Sequence, residues 1–201
     1  MTKNSEDIEK FVLANLKDQQ ECTLKISEQV KTIEKIVSIL LKARDKNKLI
    51  YSMGNGGSGS TASHFVADLQ KTSIIRDKKR IKAISLNDNI PVMLAWANDT
   101  SYSEIFVQQM KNFLSEGDVV IGFSGSGKSK NVVDALKYGK KEGAICIGFT
   151  GKSGGDLIKI CDVCFRVPSN DMLTIETFHV MLCHCIISAI RNTGKPEFTY
   201  E

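Results

Sequence analysis

The sequence predicts an α/β protein: a doubly wound, three-layer α/β/α sandwich with a five-stranded parallel sheet and extra N-terminal helices. Three observations carry that prediction. Short apolar runs alternate with helix-patterned segments along most of the chain, as a parallel sheet with crossover helices requires. The cores of those runs are continuously apolar, the mark of strands buried on both faces. Two stretches, "LIYSMGNGGSGSTASHF" and "VVIGFSGSGKSKNVVDAL", share one plan of apolar strand, glycine–serine loop and helix.

The elements follow in order. Residues 5–45 carry helical patterning, with Ile8, Val12 and Leu16 stepping by four and Ile33, Val37 and Leu41 doing the same. Charges fill the intervening faces, so two N-terminal helices are expected. "KNKLIYSMG" at 46–54 reads as a buried strand that stops at glycine, followed by a polar loop and the helical run "TASHFVADLQK". "RIKAISL" at 80–86 is the second strand, and "IPVMLAWAN" and "YSEIFVQQMKNFL" read as helices. "DVVIGF" at 118–123 is the third strand, with the helix "KNVVDALKYGKKEG" beyond its loop. "AICIGFT" at 144–150 is the fourth strand, "GGDLIKI" a short helix, "CDVCFRV" the fifth strand and "LTIETFHVMLCHCIISAIRN" the last helix. No long linker divides the chain, so residues 1–201 are assigned to one domain, with 1–45 as N-terminal helices and 46–192 as the α/β core.

Composition narrows the function classes. Apolar content of 42% and charged content of 25% are ordinary for a globular protein, and the net charge is only +4. The one basic cluster, Arg76 to Arg80, is too short for a nucleic-acid surface and reads as a solvated loop. No apolar stretch has the length of a membrane span, and "MTKNSEDIEKFV" lacks the apolar core of a signal peptide. Neither nucleic acid nor membrane is expected as a partner. A cytoplasmic location is expected, with the six cysteines reduced. Cys161 and Cys164 have C-x-x-C spacing but fall in an apolar strand-like run, where alternation sends them to opposite faces as packing. Cys183 and Cys185 read as filler of the last helix.

Residues Gly122 to Ser129 fit the nucleotide-binding pattern G-x-x-x-x-G-K-S. A nucleoside-triphosphate site also needs an acid to support Mg²⁺, usually closing a neighbouring strand. "AICIGFT" ends in threonine, and the fifth run offers only Asp162 near its start. Lys128 therefore reads as a surface or loop-edge lysine. What remains is a pair of loops rich in backbone N–H and hydroxyl donors at helix N-termini, suited to a phosphate. In sheets of this class, ligands bind outside the carboxyl ends of the strands, so two such loops imply one shared site.

Five segments occur in order: "GNGGSGSTASHF", "WANDTSYSEIF", "GDVVIGFSGSGKSKNVVDAL", "GFTGKSGG" and "RVPSNDM". Together they resemble the phosphoheptose isomerases of the sugar-isomerase (SIS) domain family, over roughly residues 30–190. The resemblance implies a cytoplasmic homotetramer with active sites between subunits. It also implies conversion of sedoheptulose 7-phosphate, a phosphorylated sugar, to glycero-manno-heptose 7-phosphate for surface polysaccharide, with zinc at the site. By motif matching, Asn55, Gly56 and Gly57 fall on the first substrate loop, with Ser58 beside them. Ser124, Gly125, Ser126 and Ser129 fall on the phosphate loop, and Asn98 and Asp99 on a substrate-contacting pair. The related isomerases whose sugar differs, and phosphosugar-binding SIS proteins without catalysis, are the rival readings.

The chain has three histidines, His64, His179 and His184. His64 and Asp68 are four apart on one helix, so both face the same way. The resemblance makes Asp68 the base and a metal ligand, where the family has a glutamate one methylene longer. Glu176 stands where the family has glutamine, as a further substrate contact, ligand or base. His184 matches the catalytic and metal-binding histidine, and His179 is assigned a packing or supporting role. The expected ligands are thus His64, Asp68, Glu176 and His184. One constraint is purely geometric: Glu176 and His184 lie eight residues apart, roughly 12 Å along a helix, too far to grip one ion from a straight helix.

Overall fold

The computed structural model describes residues 5–199. Two helices lead, α1 (Ser5–Ser27) and α2 (Val30–Asp45). Five strands follow: β1 (Leu49–Gly54), β2 (Lys82–Ser85), β3 (Val119–Phe123), β4 (Ile145–Thr150) and β5 (Val163–Arg166). All pairings are parallel, in the order β2-β1-β3-β4-β5. The chain leaves β1 toward one edge and returns to build toward the other. The strand order therefore reverses between β1 and β3, and a crevice opens there at the carboxyl ends. The two glycine–serine loops leave from the ends of those two strands.

Helices cover both faces. The face of Ile50, Ile121 and Phe123 packs against α2, α3 (Gly57–Ala67) and α8 (Met172–Arg191). The face of Tyr51, Met53 and Val120 packs against α6 (Lys130–Lys141), α5 (Val107–Met110) and α7 (Leu157–Ile160), with α4 (Ile90–Asp99) at its margin. Successive strand residues point to opposite faces and are buried on both, hence the unbroken apolar runs. Phe123, with no exposed surface, stacks on Phe149 at 4.8 Å between centroids. Truncating such a ring costs ~3–5 kcal/mol.

Three local readings change. The stretch 102–114 is not one helix but a 3-10 turn (Tyr102–Glu104) and the four-residue α5. Ile105, Phe106 and Val107 are all buried, and three consecutive residues cannot share one helix face. The helix at 57–72 ends in a widened π turn (Asp68–Thr72), where the Ser73 N–H bonds the Asp68 carbonyl at 2.9 Å. Strand β5 begins at Val163, so Cys161 caps α7 instead of pairing. Both thiols then lie over Gly148 from one side: a Cβ there would sit 2.9 Å from Cys161 Sγ and 3.4 Å from Cys164 Sγ. Burial raises both thiols, Cys164 to about 11, so they are inert packing groups on the same face. The apolar face of α1 stays uncovered within the protomer, with Ile8 55% and Leu16 56% exposed.

Helix α8 is apolar enough to cross a membrane, yet Ile175, Phe178, Leu182, Ile186 and Ile190 bury one of its sides in the core. The basic cluster Arg76–Arg80 is an exposed loop.

Candidate active site

The crevice is lined by two interlocked loops. In the first, Gly56 sits at φ +53°, a conformation that favours glycine. The Asn87 side chain clasps Gly54 ahead of it, accepting from its N–H at 3.1 Å and donating to its carbonyl at 2.8 Å. In the second, Gly127 at φ +66° donates to the Ser124 carbonyl at 2.9 Å. Ser124 and Ser129 hydroxyls meet at 2.9 Å, and Ser126 Oγ accepts from the Lys128 N–H at 3.2 Å. Ser129 is the N-cap of α6 but makes no side-chain bond to that helix. The start of α6 is thus left without a side-chain cap from Ser129, a helix N-terminus of the kind that suits an anion. Gly125 fills a different need: its carbonyl accepts from the Gly151 N–H at 2.9 Å, and a side chain there would strike Met172. Lys128 is exposed.

Sequence reasoning missed what joins the loops. Asn131, buried in the first turn of α6, exchanges amide hydrogen bonds with Asn55 at 2.9 and 2.8 Å. The Tyr102 hydroxyl donates to the same Asn55 oxygen at 3.0 Å. Asn98 and Asp99 close α4 and bond each other at 2.8 Å, and Tyr102 ties their segment to the first loop. Ser58 is buried in the first turn of α3.

A second cluster stands where α3 runs into its π turn. His64 Nε2 lies 3.4 Å from Asp68 Oδ2, His184 Nε2 lies 3.7 Å from that same oxygen, and the two Nε2 atoms are 3.1 Å apart. Three donor atoms thus form a nearly equilateral triangle. A tetrahedral ion bonded at about 2.0–2.1 Å separates its ligand atoms by about 3.3–3.4 Å. The observed edges bracket that value, and the set leaves a coordination position open. The donor chemistry and spacing therefore fit a divalent ion. The side chains of His64 and His184 are about half exposed, Asp68 only 17%.

Glu176 is not in that triangle. Among the described residues, those that bring ligand atoms within 4.8 Å of one another are His64, Asp68 and His184. The Glu176 carboxylate lies instead over Gly57 at the start of α3, where any side chain on Gly57 would run into it. The separation along α8 decides this, as the eight-residue spacing demanded. Between α3 and α8 runs a groove of about 380 Å³, lined by Gly57, Ser60, Thr61, His64, Glu176 and Thr177, which connects the loop end to the histidine end. His179 faces away from it, fully buried between Phe123 and Phe149 at 5.8 and 6.1 Å. Burial lowers its pKa to about 4 against the opposing influence of the Thr150 backbone, so the ring is neutral at pH 7. Its ring nitrogens meet no well-aligned hydrogen-bond partner, and it serves as packing.

A SIS domain family profile matches residues 16–151 of the chain. Over 165 residues the chain is 38% identical to a phosphoheptose isomerase from Thermodesulfovibrio yellowstonii, covering 82% of each protein. Over 183 residues it is 36% identical to a phosphoheptose isomerase from Clostridium acetobutylicum, covering 90% of this chain and 93% of that one. The solved structure of a phosphoheptose isomerase from Neisseria gonorrhoeae superimposes with a TM-score of 0.86 at 25% identity, covering 92% of this chain and 99% of the other.

Proposed function

Because the chain belongs to the phosphoheptose isomerases of the SIS domain family, we propose that it converts sedoheptulose 7-phosphate to D-glycero-D-manno-heptose 7-phosphate through an enediol, for surface polysaccharide. One observation supports the assignment of parts: the glycine–serine loops adjoin the start of α3, and the cluster of metal-type ligands lies toward its far end. From Gly57 to His64 is seven residues, about 10 Å of helix. In this reading the sugar's phosphate sits at Ser58, Ser124, Ser126 and Ser129, beyond the Gly57 end of the groove, and the rest of the sugar chain follows the groove. Its carbonyl end then reaches His64, Asp68 and His184.

Each end has a task in aldose–ketose isomerisation. The phosphate grip, with Asn55, Gly56, Gly57, Gly125, Asn98 and Asp99 along the chain, fixes the reacting carbons by remote binding energy. Asp68 takes the carbon-bound proton and returns it to the neighbouring carbon, with Glu176 as the second carboxylate on the groove. In the ion-free site His184 carries the proton between the two substrate oxygens, a task its Nε2 gives up when it holds an ion. Zinc is the proposed ion, held by His64, Asp68 and His184; when bound it supplies Lewis-acid polarisation of the substrate oxygens. Three ligands with an open position are the pattern of catalytic zinc.

We read the working form as a cytoplasmic homotetramer with sites completed between protomers. The uncovered apolar face of α1 supports the assembly, and all six free thiols support a reducing compartment. The test is incubation with sedoheptulose 7-phosphate in deuterium oxide, with and without chelator. Aldose product carrying deuterium at C2 is expected, in smaller yield after chelation. Binding of the ketose without any exchange at carbon sinks the reading in favour of a phosphosugar-binding protein. Turnover confined to shorter ketose phosphates favours the second reading, a different phosphosugar, which the Glu176 carboxylate against Gly57 supports.

A further inference from the structure

The Asp68 carboxylate is used on both oxygens, and only one of them faces the histidines. Oδ2 is the corner of the triangle with His64 and His184. Oδ1 accepts a hydrogen bond from the Thr72 hydroxyl at 2.8 Å. Both residues bound the π turn, Asp68 opening it and Thr72 closing it. A single π turn inside a helix is rare and recurs at functional sites. The turn is also docked on the helix that carries His184, because Arg191 Nη1 donates to the Thr72 carbonyl at 2.9 Å. Thr72 thus ties the carboxylate through its side chain and ties α8 through its backbone.

We propose that Thr72 is a positioning residue for the cluster: its hydroxyl holds Asp68 in the rotamer that presents Oδ2 alone to the ion and substrate. Aspartate has a short side chain whose terminal torsion is broad. Without a partner on Oδ1 the carboxylate rotates, and either oxygen, or both, can turn toward the histidines. A hydrogen bond from the outer residue fixes one oxygen and so selects the other, the general role of groups behind metal ligands. Among the described residues Thr72 supplies the side-chain hydrogen bond to Oδ1, while Oδ2 faces the imidazoles.

The zinc arm of the test is independent of the isomerase reading; only the turnover arm rests on it. Thr72→Val keeps the branched shape and removes the hydroxyl, while Thr72→Ser keeps the hydroxyl. Zn²⁺ affinity is measured by competition against a chelating dye on the full-length protein, together with kcat, KM and thermal midpoint. Thr72→Val is expected to weaken Zn²⁺ roughly 10-fold or more, within the ~10–100-fold seen for such groups. It should lower kcat about as much and leave KM within about two-fold, and Thr72→Ser should restore both values. The midpoint of Thr72→Val should stay near that of the unaltered protein. Zn²⁺ affinity and kcat unchanged in Thr72→Val overturn the proposal, as does a Ser variant that behaves like Val. A protein that binds Zn²⁺ with the expected Thr72 dependence but turns over no sugar phosphate sinks the isomerase reading and leaves Thr72 standing.

Discussion

The two ends of α3 are built on opposite principles. At the N-terminal end, neutral groups hold each other: Asn55 with Asn131 and Tyr102, Gly54 with Asn87, Ser124 with Ser129. The one charged side chain in the serine loop, Lys128, is exposed, and the proposed phosphate is left to backbone amides and hydroxyls. At the C-terminal end the ionisable groups collect, two imidazoles and a carboxylate within 4.8 Å of one another and partly open to solvent. One end is closed, cross-linked and pre-organised; the other is open, reactive and held by two helices. Under the proposed mechanism the difference is a division of labour, with recognition assigned to the rigid end and proton transfer to the open one.

Substitutions at the open end should show the largest effect and should fall on kcat. Asp68→Asn and His184→Ala are expected to lower kcat by ~10²–10⁴-fold, the range for a lost acid or base. KM should change only a few-fold, because the phosphate grip is intact. Steady-state kinetics on sedoheptulose 7-phosphate read both numbers. A loss expressed wholly in KM, with kcat preserved, would mean that the ends are not separate and that the cluster is a binding device.

At the rigid end the expected effect is smaller and of the other kind. Gly127→Ala places a side chain at φ +66° and against the Gly154 carbonyl, backbone on both sides. Strain of that class costs ~1–3 kcal/mol, and it falls on the loop proposed to hold the phosphate. KM should rise about 10-fold with kcat at saturation little changed, and inorganic phosphate should inhibit correspondingly less. Asn131→Ala comes next. It removes both bonds to the half-buried Asn55, whose oxygen keeps the Tyr102 hydroxyl, so the loss is that of ordinary hydrogen bonds, ~1 kcal/mol each. A several-fold rise in KM and a lower thermal midpoint are expected; kinetics identical to the unaltered protein would show that the clasp between the loops is incidental.

The sequence displayed the rigid end better than the open one, for reasons of locality. Each loop is a contiguous strand–turn–helix segment, so Ser124 to Ser129 and Asn55 to Ser58 could be placed from a few neighbouring residues. The strand reversal that sets the loops side by side is a property of sheet order, which no segment contains. His64 and Asp68 were legible as an i,i+4 pair, but His184 enters from 120 residues away and was singled out by resemblance alone. The same i,i+4 rule, carried one step further from Asp68, reaches Thr72. Asn131 had a visible sign as well, a polar side chain opening the otherwise apolar-faced "KNVVDAL". The packing role of Cys161 and Cys164 was legible, but their placement on opposite faces failed because β5 starts two residues later than the apolar run, and alternation does not extend into a helix cap.

The smallest effect on turnover belongs to His179, and it tests how rigid the rigid end is. The ring is clamped between Phe123, the residue before Ser124, and Phe149 on β4. Burial holds its pKa at about 4, whereas an unfolded chain has a histidine near 6.5. Between those values the unfolded state binds a proton that the folded state refuses, so stability must rise with pH across the window. The contribution is complete above about pH 6.5 and is lost as pH falls toward about 4; 2.5 units amount to about 3 kcal/mol. Urea midpoints at pH 7.5, 6 and 5 should fall steeply for the unaltered protein and less so for His179→Leu, by one proton's worth of slope. Near neutral pH the variant's kcat should stay close to that of the unaltered protein, since the ring faces away from the groove. Equal slopes in the two proteins would mean that the imidazole accepts its proton without unfolding, which requires Phe123 and Phe149 to part. In that case the strand ends under the phosphate loop are pliable, and the contrast between the two ends of α3 fails at its foundation.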